Sequence, residues 1–279
     1  IRRLRLEPGA SVRVDPALLD GYWSGSASLG LALSDQPPID VRAQVKDLLG
    51  YPYGCLEQTT SAAYPIALID DEAARAWGMA VLSREERARR LDVAFGRLAG
   101  MQQARGGFGL WNSGGPYEAW LSAYVTGFLQ DARDAGFEPP AALIGRAMDH
   151  LLEQFQRSPG QQTALPAHPR RDDKGRLLDQ RDVELTRIAH QRLAEAAHAG
   201  YILARAQKAP LATLRTLYER HRDNARSPLP LVHLALALKL MGDEARAREA
   251  LDQALQRPYG LQPASGNDWD DWLGDYGSR

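Results

Sequence analysis

Tyr117-Glu118-Ala119-Trp120-Leu121-Ser122-Ala123-Tyr124-Val125-Thr126-Gly127-Phe128-Leu129, continuing to Ala135, reads as a mostly apolar helix. Trp120, Leu121, Tyr124, Val125, Phe128 and Leu129 leave it little polar surface, and a helix of that kind is buried on more than one side. Its neighbours have a different pattern. Upstream, Ser83 with Glu86 predicts a capping box, and Leu91, Phe95 and Leu98 mark one apolar face of a helix to about Gln103. Downstream, helices are predicted over about Pro140–Gln156, Arg181–Gln207, Pro210–Arg222, Pro228–Met241 and Asp243–Gln256. The polar, proline-rich run from Ser158 to Gln180 separates the first two of these and reads as an exposed loop.

Amphipathic and nearly all-apolar helices therefore alternate. Two concentric layers account for that pattern, with apolar helices inside and amphipathic ones outside, so the fold class is mainly α and the architecture an α/α toroid. Gln102-x-x-x-Gly106-x-Phe108 resembles the helix-linking element of terpenoid-cyclase-like helical barrels, and Gln256-x-x-x-Gly260 is a weaker echo. Residues 1–36 differ. Leu4 and Leu6, Val12 and Val14, and Leu29, Leu31 and Leu33 fall two apart, as in strands, and Pro37-Pro38 ends the pattern. The expected organisation is a short β segment of a preceding domain over 1–36 and a helical domain over 37–279. That domain opens with Asp40 as N-cap and Val41, Val45, Leu48 and Leu49 on one face before Gly50. The tail from Trp269 to Arg279 looks like the lead-in to another inner helix, so a toroid truncated at its C-terminus is expected.

Composition sets further bounds. Hydrophobic residues are 44% and charged residues 25%, enough for a sizeable core. A net charge of -1 and a pI near 6.7 argue against a nucleic-acid surface. No run of eighteen apolar residues is present to span a membrane. With no initiator methionine or leader at Ile1, the chain reads as a piece of a larger polypeptide. One cysteine cannot form an internal disulfide, and in an oxidising compartment a lone thiol must be buried or chemically engaged.

That cysteine lies in Tyr51-Pro52-Tyr53-Gly54-Cys55-Leu56-Glu57-Gln58-Thr59-Thr60, at the predicted start of a helix running to about Ile69, with Pro65 expected to bend it. By itself a lone cysteine is a small packing residue. With Gln58 one helical turn on, however, its thiolate could displace ammonia from the side-chain amide and leave a thioester. Such a carbonyl is an acyl electrophile whose thiolate departs far more easily than an amine. The unpaired N–H groups and positive dipole end of a helix start would stabilise both the oxyanion and the released thiolate. Gly54 supplies backbone freedom for ring closure. Tyr51 and Tyr53 shield the bond from water or simply pack the start of the helix. Glu57 has no certain role, charge compensation at the helix start being one.

Gly-Cys-x-Glu-Gln resembles the thioester motif of the alpha-2-macroglobulin and complement family, and the longer run looks most like the bacterial alpha-2-macroglobulins. The resemblance covers the chain from about Ser34 onward. It implies that Gln58 is the acyl donor and Cys55 the leaving group, with lysine amines or hydroxyls as targets. It also implies an α/α toroid, a partner domain that covers the bond, and a bait region elsewhere in the parent protein whose cleavage exposes it. The partners are then target proteases, trapped covalently through lysine, and the parent's other domains. The chain would act once, as an inhibitor rather than an enzyme, with no cofactor beyond the internal thioester. Bacterial relatives imply a periplasmic, envelope-protecting parent, lipid-anchored at the inner membrane. Complement members carry an activating histidine in the loop after the Gly-x-Phe element. Gly109–Tyr117 has none, which implies direct attack by amines; Asn112 is a loose substitute.

Two other readings stand beside this one. His150, His168, His190, His198, His221 and His233 have no cysteine or carboxylate at zinc spacing and read as helix-surface or loop residues, so no metal is expected. Asp268, Asp270, Asp271 and Asp275 with two tryptophans would suit a glycan-processing toroid enzyme, although no second acidic cluster is evident. A helical interaction scaffold would need no reactive cysteine.

Overall fold

The computed structural model describes residues 9–13, 15, 20–23, 26, 54–76, 79–170 and 177–257. Most of the predicted N-terminal β segment, including Leu4, Leu6, Val14, Leu29, Leu31 and Leu33, lies outside them, as do the helix before Gly50, Tyr51, Tyr53 and the acidic tail. The chain divides into two compact units, Ile1–Val41 and Arg42–Arg279. In the first, the Ser26 N–H and hydroxyl both donate to the Trp23 carbonyl, at 2.9 and 2.7 Å.

The second unit is helical. Its described elements are α1 (Leu56–Leu68), α2 (Asp71–Ala76), α3 (Arg84–Met101), α4 (Ala119–Asp134), α5 (Ala141–Arg157), α6 (Gln180–Arg205), α7 (Leu211–His221), α8 (Leu229–Leu240) and α9 (Glu244–Leu255), with 3-10 turns at Ser158–Gln161 and Arg222–Asn224. Among the described residues no strand forms, only isolated bridges between Gln102 and Phe108 and between Gly109 and Tyr117. α2 escapes the sequence pattern because only Ala74 in it is buried; the Asp70 carboxylate starts it by accepting the Ala73 N–H at 2.8 Å.

Burial sorts the helices into the two expected layers. α4 and α6 bury residues around most of their circumference. α3 buries only the stripe Leu91, Ala94, Phe95, Leu98 and Met101, and α9 only Ala247, Ala250 and Ala254. The inner helices run parallel. Tyr64 of α1 stacks edge-on to Phe128 of α4 and donates to Asp131, while Ser61, one turn earlier, meets Tyr124. On α6, the Ile202 carbonyl accepts from Gln130 and Arg205 pairs with Asp131, again in rising order. His198 and Tyr201 of α6 stack on His233 of α8, and Gln207 just past α6 reaches the Leu240 carbonyl. Outer α3, α5, α7 and α9 return the chain between them, giving an α/α toroid. The starts of α1, α4 and α6 consequently share one end of the barrel.

The Gln102–Phe108 element has a physical reason. The buried Gln102 amide donates to the carbonyls of Gly106 (3.2 Å) and Leu143 (2.9 Å) and accepts from both Arg146 Nε (3.0 Å) and Nη2 (2.6 Å). It ties the end of α3 to the first turns of α5. Gly106 has φ +96°, and a Cβ there would lie 2.1 Å from the Arg146 carbonyl oxygen, so only glycine fits. Phe108 is fully buried. The predicted capping box forms only by half: Ser83 Oγ accepts the Glu86 N–H at 3.2 Å, but the Glu86 carboxylate pairs with Arg89 and Arg90. Two charged partners one turn away on the exposed face hold it there in preference to the single N–H behind it.

Candidate functional site

The helix that carries the cysteine starts where the sequence places it. Cys55 is the N-cap of α1, with extended φ -67° and ψ 169°, and Gln58 is the third helical residue. The two close a reciprocal box. The Cys55 side chain accepts from the Gln58 backbone N–H, and Gln58 Oε1 accepts from the Cys55 N–H at 3.3 Å. The geometry is that of a Ser/Thr–Glu/Gln capping box with sulfur in place of oxygen. It brings both side chains back to the first turn of α1, each against the other residue's backbone. Cys55 is only 6% exposed and Gln58 half-buried.

The surrounding contacts clamp this turn. The first helical N–H, of Leu56, donates to the Leu110 carbonyl at 2.8 Å, and Leu56 is fully buried. The loop after the Gly-x-Phe element is thereby pinned to the start of α1. Thr59 Oγ1 donates to the Gly54 carbonyl at 3.3 Å and its N–H to the Cys55 carbonyl at 2.9 Å. At the other end, Arg87 of α3 donates to the Ile66 and Ala67 carbonyls at 2.7 and 2.8 Å, capping α1 beyond Pro65.

Glu57 acquires a role that its sequence position did not reveal. Its carboxylate accepts the Ser61 hydroxyl at 2.6 Å, and Ser61 Oγ lies 3.0 Å from the Tyr124 hydroxyl. With the serine proton given to Glu57, Tyr124 is the donor to Ser61, so the chain of bonds fastens α1 to α4. Burial raises the Tyr124 pKa, and the Glu57 charge adds to that effect. One turn on, Tyr64 donates to Asp131 at 3.1 Å and Arg205 pairs with the same carboxylate, which joins α1, α4 and α6.

Gly54 is not in the left-handed region, so the backbone freedom expected of it is not used here. A Cβ at Gly54 would lie 3.4 Å from Nη1 of Arg97, an α3 side chain whose guanidinium rests against the residue before the cysteine. Arg97, Leu110 and Tyr124 are the site neighbours that sequence reasoning missed. None has a local signal, because α3, the 109–117 loop and α4 meet α1 only in the folded barrel. Asn112 is exposed, and its Oδ1 accepts the Gly114 N–H at 2.9 Å, serving its own turn.

The surface reading fails for four histidines, His150, His190, His198 and His233. His150 and His190 are buried: His150 packs edge-on against Tyr117, and His190 Nδ1 accepts the Arg226 N–H at 3.1 Å. Both occupy inward faces of α5 and α6 that periodicity alone does not distinguish from outward ones. His198 stacks on His233 with ring centroids 4.9 Å apart, and burial lowers its pKa to about 3. Among the described residues no cluster of three metal-ligating side chains forms, and no helix is long and apolar enough to cross a membrane.

With this geometry in hand, comparison with known proteins is direct. The family model described as the A-macroglobulin TED domain matches residues 27–263. The chain is 36% identical over 273 residues to alpha-2-macroglobulin of Escherichia coli (strain K12), covering 98% of this chain and 15% of that one. It is 35% identical over 269 residues to alpha-2-macroglobulin of Xylella fastidiosa (strain Temecula1 / ATCC 700964), covering 96% of this chain and again 15% of the relative. The chain thus spans about one-seventh of the length of these curated relatives. A crystal structure of native Escherichia coli alpha-2-macroglobulin superposes with a TM-score of 0.69 at 37% identity, over 87% of this chain and 34% of that chain. Salmonella alpha-2-macroglobulin reacted with methylamine gives 0.68 at 36% identity, over 87% of this chain and 14% of that one. The match to the family model over most of the length, and the agreement of fold with these structures, have one meaning: this chain belongs to the A-macroglobulin TED family, the thioester domains of the alpha-2-macroglobulins.

Proposed function

We propose that Cys55 and Gln58 form an internal thioester and that Gln58 is then transferred to lysine amines of a captured protease. The observation that carries this reading is the reciprocal box, which brings the Cys55 and Gln58 side chains to the same turn of α1. Bond formation joins Cys55 Sγ to Gln58 Cδ and releases the amide nitrogen as ammonia. Attack by an amine gives a tetrahedral oxyanion, which collapses to a Gln58-linked amide and returns the Cys55 thiol. In this reading the positive end of α1 and the Arg97 guanidinium, which rests against Gly54, stabilise the oxyanion and the departing thiolate. Each domain reacts once, so the role is that of an inhibitor, with no cofactor beyond the thioester and no metal. The family match supports this over glycan processing or a passive scaffold.

The relatives support the same direction. One solved structure is a trypsin-activated Escherichia coli alpha-2-macroglobulin, another is activated by porcine elastase, and the Salmonella protein was reacted with methylamine. By this reading the parent protein traps proteases after bait cleavage, its other domains cover the thioester beforehand, Tyr51 and Tyr53 help to shield it, and the parent is a periplasmic lipoprotein of the inner membrane. Intact mass decides the bond: the thioester form is lighter than the encoded chain by one ammonia. Methylamine should then add to Gln58 and expose one titratable thiol. Cys55→Ala should abolish both while keeping the helical spectrum, and amine incorporation by that variant would overturn the assignment.

A further inference from the structure

A second feature of the reactive end of the barrel is a cavity of about 350 Å³ beside the first turn of α4. Leu151 and Phe155 of α5 and Ala196 and Ala199 of α6 form its apolar floor, and Tyr117 forms one wall. Glu195 of α6 brings a carboxylate to this space, whose lining also includes Gln154, Ser158, Gln161, Gln162 and Arg192. One of its oxygens accepts from Gln191 Nε2 at 3.0 Å, and the protein supplies no hydrogen bond to the other among the described residues. Parallel packing sets Glu195 level with the start of α4, on the end of the barrel where Cys55 caps α1.

A half-buried carboxylate with one oxygen free of protein donors suits a ligand donor, preferably a cationic one. The apolar floor asks for a hydrocarbon stem beside it. We propose that this cavity binds an aliphatic primary ammonium group, its alkyl chain on Leu151, Phe155, Ala196 and Ala199 and its charge on Glu195. A lysine side chain of a captured protein and a free diamine share that chemistry. The site is independent of acyl transfer by Gln58, but it would hold amines at the end of the barrel where they react. The charged and titratable groups facing Glu195 are Arg192 on its own helix, Glu118 before α4 and Tyr117, with His150 behind the tyrosine. The Arg192 guanidinium, whose charge also acts on Glu195, donates to the Gln161 carbonyl (2.7 Å) and Thr163 Oγ1 (2.9 Å) rather than to the carboxylate. Burial raises the Glu195 pKa and outweighs the Gln191 hydrogen bond and the Arg192 charge, which lower it, so binding of an ammonium should tighten as rising pH ionises the carboxyl.

The test is calorimetry on the full chain carrying Cys55→Ala, which removes the competing acylation. The probes are pentylamine, 1-pentanol, 1,5-diaminopentane and Nα-acetyl-lysine methylamide. Pentylamine should bind at least tenfold tighter than pentanol, and Glu195→Gln should weaken it at least tenfold without changing the melting temperature. Ala199→Leu, which fills the floor, should also abolish binding. Equal binding of the alcohol, or retention of amine affinity in both variants, overturns the proposal. Tighter binding of the lysine derivative identifies protein lysines as the natural occupant, and tighter binding of the diamine identifies free amines. Because every measurement uses a protein without Cys55, failure here leaves the thioester assignment untouched.

Discussion

At the scale of single residues, the site is a helix N-cap with sulfur in place of the usual oxygen. A serine or threonine in place of Cys55 would make the same reciprocal box with Gln58, but its oxygen would be a poor leaving group at neutral pH. The neighbours of that box are where function and stability separate. Glu57 accepts its hydrogen bond from Ser61, which in turn meets Tyr124. Glu57→Ala should therefore cost about 1–2 kcal/mol of stability, by leaving that serine and tyrosine short of a partner, while methylamine still incorporates. A loss of incorporation in a variant that melts normally would give Glu57 a chemical role. Arg97 is the reverse case. It is exposed and rests on Gly54, so Arg97→Met should leave the melting temperature within experimental scatter. It should, however, slow thiol release by methylamine several-fold, and Arg97→Lys should restore most of the rate. Unchanged kinetics in Arg97→Met would exclude the guanidinium from the transition state.

At the scale of elements, the barrel depends on a few joints where only one residue type fits. Gly106 combines a left-handed backbone with a Cβ position already occupied by the Arg146 carbonyl, so Gly106→Ala should cost about 2–4 kcal/mol. Gly200 on α6 faces Phe155 and Leu214, with an added Cβ 2.8 Å from the phenylalanine ring and 3.0 Å from Leu214. Its substitution by alanine should cost about 1–3 kcal/mol by overpacking, read as a shift in urea midpoint at constant slope. The motif Gln102-x-x-x-Gly106-x-Phe108 was legible because its parts are close in sequence. Its partners on α5 were not, because Leu143 and Arg146 carry no mark of the amide that they bind.

At the scale of the whole molecule, the inner ring is held by apolar packing interrupted by a few buried polar groups, and those groups set the pH response. His198 packs between α6 and α8 with its pKa lowered from 6.5 to about 3, chiefly by burial and further by His233. The unfolded chain therefore takes up a proton that the folded chain refuses. The sign follows: this contribution is complete above about pH 6.5 and is lost progressively as pH falls toward 3. The loss should be roughly 1 kcal/mol per pH unit within that window. His150 and His221, both lowered mainly by burial, act in the same direction. Chemical denaturation at pH 7 and pH 5 should show the drop, and His198→Gln should make the profile shallower. An unaltered profile in that variant would place the proton uptake elsewhere.

Much of this protein is determined locally. Apolar spacing sorted the helices into inner and outer sets, and the short-range Cys55–Gln58 pairing needs only one helical turn, so both are written in consecutive residues. The family motif is equally local. Other features depend on which surfaces meet: the Leu110 carbonyl on the Leu56 N–H, the Arg97 guanidinium beside Gly54, the Glu57–Ser61–Tyr124 bonds, and the inward turn of His150 and His190. Their partners lie tens of residues apart on different helices. Hydrophobic periodicity says that a face is buried but not against what, and only the packed helices supply the neighbour.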